Sequence, residues 1–172
     1  MSMPKTLNNI NLELQGKTVA KAKENNNSIP VEKTITGEFN LSGSPQFSAH
    51  VTTEATKFEL ECDEPSVLGG PGVHPTPLTY LLYGVMACYS SSLASQCAVE
   101  GLELKDLKVR GKLIYDLGPA VIESGNPIIK GLKLDVISST KLDEQIKRAW
   151  KKCPAVYAIQ HPIPTEIAQA ES

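Results

Sequence analysis

Leu82-Tyr83-Gly84-Val85-Met86-Ala87-Cys88-Tyr89-Ser90-Ser91-Ser92 lies inside a longer segment, from Glu64 to Glu100, that has no Asp, Glu, Lys or Arg between its ends. In a chain with 21% charged residues, such a gap marks the part that must be covered. The apolar run over 78–89 is too short for a bilayer, which needs about 20 apolar residues, and it passes into Ser90, Ser91, Ser92, Ser95 and Gln96. The pattern predicts a helix buried on most sides. Thr76 suits its N-cap and Pro77 its first position, and Gly101 stops it after Val99. A cysteine placed there is either a packed apolar side chain or a sheltered nucleophile.

Strand signals lie on both sides of this helix. Residues 31–40, 47–53 and 57–62 alternate apolar and polar side chains, and Ser42-Gly43-Ser44-Pro45 separates the first two, as in an antiparallel meander. Two more strands are predicted over 107–115 and 128–137, joined by a loop containing Pro and Gly. Thr140 is placed to cap a second helix with Asp143 three residues on, running through Trp150 until Pro154 interrupts it. A last short strand is expected over 165–168. At the other end, residues 7–24 read as an amphipathic helix weakened by Gly16, and the Asn25-Asn26-Asn27 run breaks it. Strands, buried helix, strands, helix is not the strict alternation of a parallel doubly wound sheet, so the fold class is α+β.

At 172 residues the chain supports one core and a single domain over 1–172, with 1–30 as a helical extension and linker. A net charge of -2 gives no pull toward phosphate backbones, so nucleic acid is not expected as a partner. Met1-Ser2-Met3-Pro4 opens no apolar leader, which points to the cytoplasm and not to a membrane. Cys62, Cys88, Cys97 and Cys153 are too dispersed for zinc spacing, so no metal is expected, and in a reducing compartment they read as thiols.

Among the candidates for chemistry, Cys97 falls on the opposite side of the helix from Cys88, at about 100° per residue, and reads as packing. Cys153, in Lys151-Lys152-Cys153-Pro154, stands where proline can start a new helical turn, beside two lysines; both features favour a thiolate. Gly69-Gly70-Pro71-Gly72 lacks the spacing and the lysine of nucleotide-binding loops and reads as a tight turn. His74 reads as a loop histidine.

The run Asp63-Glu64-Pro65, Gly69-Gly70, Pro75-Thr76-Pro77-Leu78 and Ala87-Cys88, followed at a distance by Cys153-Pro154, resembles the superfamily of osmotically inducible protein C and organic hydroperoxide resistance protein (OsmC/Ohr). The resemblance covers about residues 31–167, and the N-terminal candidate helix is similar to an extension in one subgroup. It implies antiparallel sheets wrapped around the buried cysteine-bearing helix in an intertwined homodimer, with sites at the subunit interface. It also implies a catalytic pair. Cys88 would attack a hydroperoxide and become a sulfenic acid, Cys153 would condense with it to a disulfide, and an external dithiol, with no bound cofactor, would reduce that disulfide.

Two positions depart from that pattern. The family's peroxidases carry a glutamate in the first turn of the cysteine helix, where this chain has Leu78 and Thr79, and an arginine from an N-terminal strand. Here the only arginines are Arg110 and Arg148. Without a cation an apolar site lowers the thiolate population, unless a lysine or His74 takes that place. Two functions follow as expectations: a thiol-dependent peroxidase for organic hydroperoxides, or a non-peroxidase relative that binds a small apolar or electrophilic ligand in the interfacial pocket. A dimer with a purely structural role is the third.

Overall fold

The computed structural model describes residues 5–170. They fall into two compact units, one made of the chain up to Gly16 and from Gly84 onward, the other of Lys17–Tyr83. All sheets are small and antiparallel, so the chain has the α+β architecture expected from the sequence.

The first unit opens with a hairpin, β1 (Thr6–Leu7) against β2 (Ile10–Asn11). Asn8 and Asn9 form its two-residue turn with φ of 52° and 62°, the left-handed pair that such hairpins require and that asparagine tolerates. The helix expected over 7–24 therefore starts later, as α1 (Leu12–Glu24), where Asn11 Oδ1 accepts the Leu14 N–H at 3.0 Å. Asn8 also stitches the hairpin to the chain that follows the cysteine helix. Its amide donates to the Leu102 carbonyl at 2.9 Å and its carbonyl accepts the Leu104 N–H at 2.8 Å. Asn26 and Asn27 end α1 in left-handed conformation, with the Asn27 N–H reaching back to Ala22.

The cysteine helix is α2 (Pro77–Val99). Thr76 Oγ1 accepts the Thr79 N–H at its start, as its sequence position predicts. At its end Gly101, at φ 71°, lets the Leu102 N–H turn back to the Cys97 carbonyl. The serine run does not open the helix, because Ser90 and Ser92 donate to the Met86 and Cys88 carbonyls one turn back. Tyr89, Leu93 and Cys97 form a stripe at i, i+4 and i+8 that is buried against Leu142, Ala149, Cys153 and Val156. Burial is incomplete in the first half of α2, where Leu81, Tyr83, Gly84 and Ala87 are exposed.

A two-stranded sheet, β6 (Lys108–Tyr115) and β7 (Ile129–Ile137), adds Leu134 and Val136 to that core. Its connection carries one short helical turn, α3 (Gly118–Val121). Next comes α4 (Asp143–Lys152), which begins beyond the expected Thr140 cap. The serines ahead of it fold back on Asp106, and Thr140 donates its N–H to Ser138, so the helix starts at Leu142 with no side-chain cap. Trp150 of α4 meets Tyr89 edge-on, with ring centroids 6.3 Å apart. The last element is α5 (Pro154–Gln160). Residues 165–168 form no strand; the described chain offers them no partner strand, and Ile167 is fully exposed.

The second unit is the expected meander: β3 (Thr36–Phe39), β4 (Phe47–Thr52) and β5 (Lys57–Cys62), paired in sequence order. β3 is shorter than the alternation over 31–40 predicts, because only Thr36–Phe39 have partners on β4. Beyond β5 the chain is tied to Asp63, whose residue is 1% exposed. Its carboxylate accepts the N–H groups of Gln46, Val73 and His74 and the hydroxyl of Ser44, and lies 3.0 Å from His74 Nδ1. Gly69 turns with φ 81°, and a Cβ on Gly70 would overlap the Glu64 carbonyl oxygen, so both glycines are required by this loop. Among the described residues no helix is long and apolar enough to cross a membrane.

Burial alone would raise the Asp63 carboxyl, but the donors from Gln46, His74 and Ser44 hold it well below the usual carboxylate range. A depressed acid stabilises the fold above its unfolded value of about 3.9, and that contribution drains away as pH falls toward the folded value. Asp63→Asn is therefore expected to lower the urea midpoint most at about pH 5 and above, with the gap to wild type closing from about pH 4 to pH 2. A gap independent of pH would show that the carboxylate charge contributes nothing.

Candidate functional site

Pro154 creates the site. It has no N–H to continue α4 and it forces the residue before it out of helical geometry. Cys153 accordingly sits extended, at φ -82° and ψ 115°, between α4 and α5, and its carbonyl accepts the Tyr157 N–H to begin the new helix. Because proline donates nothing, the first free N–H of α5 belongs to Ala155, and it is directed at the Cys88 sulfur. The thiol of Cys153 donates to the same sulfur, at 3.5 Å. Cys153 is 1% exposed, whereas Cys88 is only half-buried.

Two donors thus converge on the sulfur of Cys88, the more accessible of the pair. The gap must close by about 1.5 Å to make a disulfide of about 2.05 Å, a movement within the reach of a rotamer change.

The balance of forces on Cys88 still favours the thiol. Burial pushes its pKa up, the Ala155 N–H pulls it down, and Cys153 pushes it up again as hydrogen-bond partner and neighbouring acid. None of the groups acting on it is an arginine, lysine or histidine. The lysines expected beside Cys153 point elsewhere: Lys152 Nζ donates to Gln96 Oε1 at 2.9 Å, and Lys151 is exposed. Arg148 is paired with Glu100, and Arg110 faces Asp135 across the β6–β7 ladder. His74 is held on both nitrogens, by Asp63 at 3.0 Å and Glu61 at 3.2 Å, so the loop histidine is a staple. Cys97 is fully buried packing.

Sequence reasoning missed one feature, in the second unit. An apolar cavity of about 650 Å³ is lined by Ile35, Phe39, Phe47, Leu60, Cys62 and Tyr80. Glu61 and Glu64 also border it, and the Tyr80 hydroxyl donates to the Glu61 carbonyl at 2.8 Å. The signal was present in the apolar positions of the meander, which alternate with no second layer in the sequence to cover them.

The pattern of an OsmC-like protein matches residues 69–168, more than half of the chain and including both cysteines of the pair. The chain belongs to the OsmC-like family.

Solved OsmC-like structures share the fold. The organic hydroperoxide resistance protein OsmC of Legionella pneumophila is 20% identical with a TM-score of 0.58, over 76% of this chain and 92% of that one. The OsmC-like protein of Mycoplasma pneumoniae is 18% identical with a TM-score of 0.56, over 77% and 89%. The organic hydroperoxide resistance protein of Elizabethkingia anophelis is 21% identical with a TM-score of 0.53, over 77% and 91%. No curated protein matches the chain. For this OsmC-like chain the raised proton affinity of Cys88 has a direct readout. Iodoacetamide labelling of the reduced protein, followed by peptide mass spectrometry, is expected to be slow at Cys88 near pH 7 and to climb above about pH 8.5. Fast labelling that is flat from about pH 6 upward would show a stabilised thiolate instead.

Proposed function

We propose that this protein is a thiol-dependent peroxidase that reduces organic hydroperoxides in defence against oxidative stress. The observation that carries the reading is the approach of Cys153 to Cys88 at 3.5 Å, with both nearby donors aimed at Cys88. The names of its structural neighbours from Legionella pneumophila and Elizabethkingia anophelis, organic hydroperoxide resistance proteins, support the substrate class. In the first step the Cys88 thiolate attacks the terminal oxygen of ROOH. The O–O bond breaks, Cys88 becomes a sulfenic acid, and the alkoxide takes a proton to leave as ROH. Cys153 then attacks the sulfenic sulfur, forming the disulfide and releasing water. An external dithiol returns both thiols and leaves as its own disulfide.

The working unit in this reading is a cytoplasmic homodimer. Phe39, Phe58, Leu60 and Tyr83 are exposed on the second unit, and each small sheet leaves backbone edges unpaired among the described residues. A second copy is the cover that such apolar surface and open edges call for. Sedimentation at micromolar concentration is expected to give twice the chain mass; a folded monomer would remove this part of the proposal.

A second reading rests on one observation, that no cation acts on Cys88. In that case the protein is a binding protein for a small apolar or electrophilic ligand. Activity separates the two. Cumene hydroperoxide consumption with a dithiol reductant is expected, at a modest rate that rises with pH toward the free-thiol value of about 8.5. Cys88→Ser abolishes it, and Cys153→Ser leaves one turnover with a sulfenic acid trapped on Cys88. No consumption at any pH, with both thiols intact, favours the binding protein.

A further inference from the structure

Five polar side chains join the end of α2 to one face of α4, beside the thiol pair and outside its chemistry. Gln145, Arg148 and Lys152 lie on one side of α4 at i, i+3 and i+7. Gln145 Nε2 donates to Glu100 Oε2 at 2.8 Å, and Arg148 Nη1 donates to Glu100 Oε1. Gln96 Nε2 donates to the same Oε1, and Lys152 Nζ closes the row on Gln96 Oε1 at 2.9 Å. Gln96 is 8% exposed, so its amide depends on these partners.

Glu100 stands just past the C-terminus of α2, where the helix dipole disfavours a carboxylate. The position is tolerable because hydrogen bonds from Gln145, Gln96 and Arg148 hold its proton affinity down. A bare exposed ion pair contributes almost nothing, and α4 carries one such pair on its wet side, Glu144 with Lys147. Glu100 differs because three side chains donate to its two oxygens and link two helices. Lys152 is the residue immediately before Cys153, so the row ends one residue short of the sulfur that must reach Cys88.

We propose that Glu100 is a positioning residue: through Gln145, Arg148, Gln96 and Lys152 it fixes α4 along α2 and so sets how readily Cys153 closes on Cys88. The inference rests on the two-cysteine reading above. It assigns the stability of the disulfide to a carboxylate that touches neither sulfur. Loosening the row lets the end of α4 drift, which lowers the effective concentration of one sulfur at the other.

The test is redox equilibration of the full chain in mixtures of oxidised and reduced dithiothreitol, where protein dithiol plus cyclic dithiothreitol disulfide exchanges with protein disulfide plus reduced dithiothreitol. Glu100→Gln is expected to lower the equilibrium constant for the Cys88–Cys153 disulfide about tenfold, which is about 30 mV for a two-electron couple. Arg148→Met should act in the same direction, and Gln145→Ala, at the edge of the row, supplies a milder variant should the others fold poorly. Glu144→Gln should leave the constant at the wild-type value. In a Cys153→Ser background, Glu100→Gln should leave the rate of sulfenic acid formation on Cys88 unchanged, which a general loosening of the fold would not. An unchanged or raised equilibrium constant in the folded Glu100 and Arg148 variants overturns the proposal. If wild type forms no Cys88–Cys153 disulfide with dithiothreitol or hydroperoxide, the two-cysteine reading itself falls, a result distinct from a wild type that pairs and variants that pair equally well.

Discussion

A helix of 23 residues without one charged side chain has to be covered, and the chain is organised around that need. From Tyr89 to Cys97 the cover comes from within the chain: β7, α4 and α5 supply Leu134, Val136, Ala149 and Val156. The hairpin at Asn8 and Asn9 fastens the segment that follows the helix. Burying such a set of side chains stabilises by about 25 cal/mol per Å² of apolar area removed from water. The site is a by-product of this packing, since Cys88 and Cys153 belong to the surfaces that meet.

What distinguishes the meeting point from ordinary core is the proline. Cys153 in a continuous helix would have its neighbouring N–H groups spent on helix hydrogen bonds. With Pro154 after it, α4 stops, α5 restarts, and the Ala155 N–H is left free to face Cys88. Of the groups acting on Cys88, that single donor is the one that lowers its proton affinity. A dipole competing with burial is weaker than a full positive charge, which accounts for the net upward shift of Cys88.

The sequence made α2, the meander and the β6–β7 pair legible because each has an unmistakable local signal: an N-cap and a terminal glycine, or strict alternation. It misled where tertiary partners decide. Thr140 has the chemistry of a cap, but the serines beside it are drawn to Asp106, 33 positions before Ser139, and the helix starts late. The short strand expected over 165–168 does not form, because no strand among the described residues pairs with it. The Asn8-Asn9 turn was readable in principle, and was hidden by the stronger helical pattern after it. The pairing of Cys88 with Cys153 came from family resemblance; nothing in the spacing alone requires it. The Glu100 row was invisible, since it joins side chains 45 and 48 positions apart.

In the proposed reaction Cys153 has two occupations, as the sulfur that closes on Cys88 and as a member of the cluster that contains Leu93, Cys97 and Val156. Excess oxidant meets Cys88 first, because Cys153 is 1% exposed. A sulfinic acid on Cys153 itself would put an ionised group among apolar side chains. The fold cannot absorb that charge as a surface protein would absorb a damaged side chain. A molecule oxidised that far would lose its packing along with its function, and so present itself as unfolded material for degradation, where a quietly inactive protein would persist.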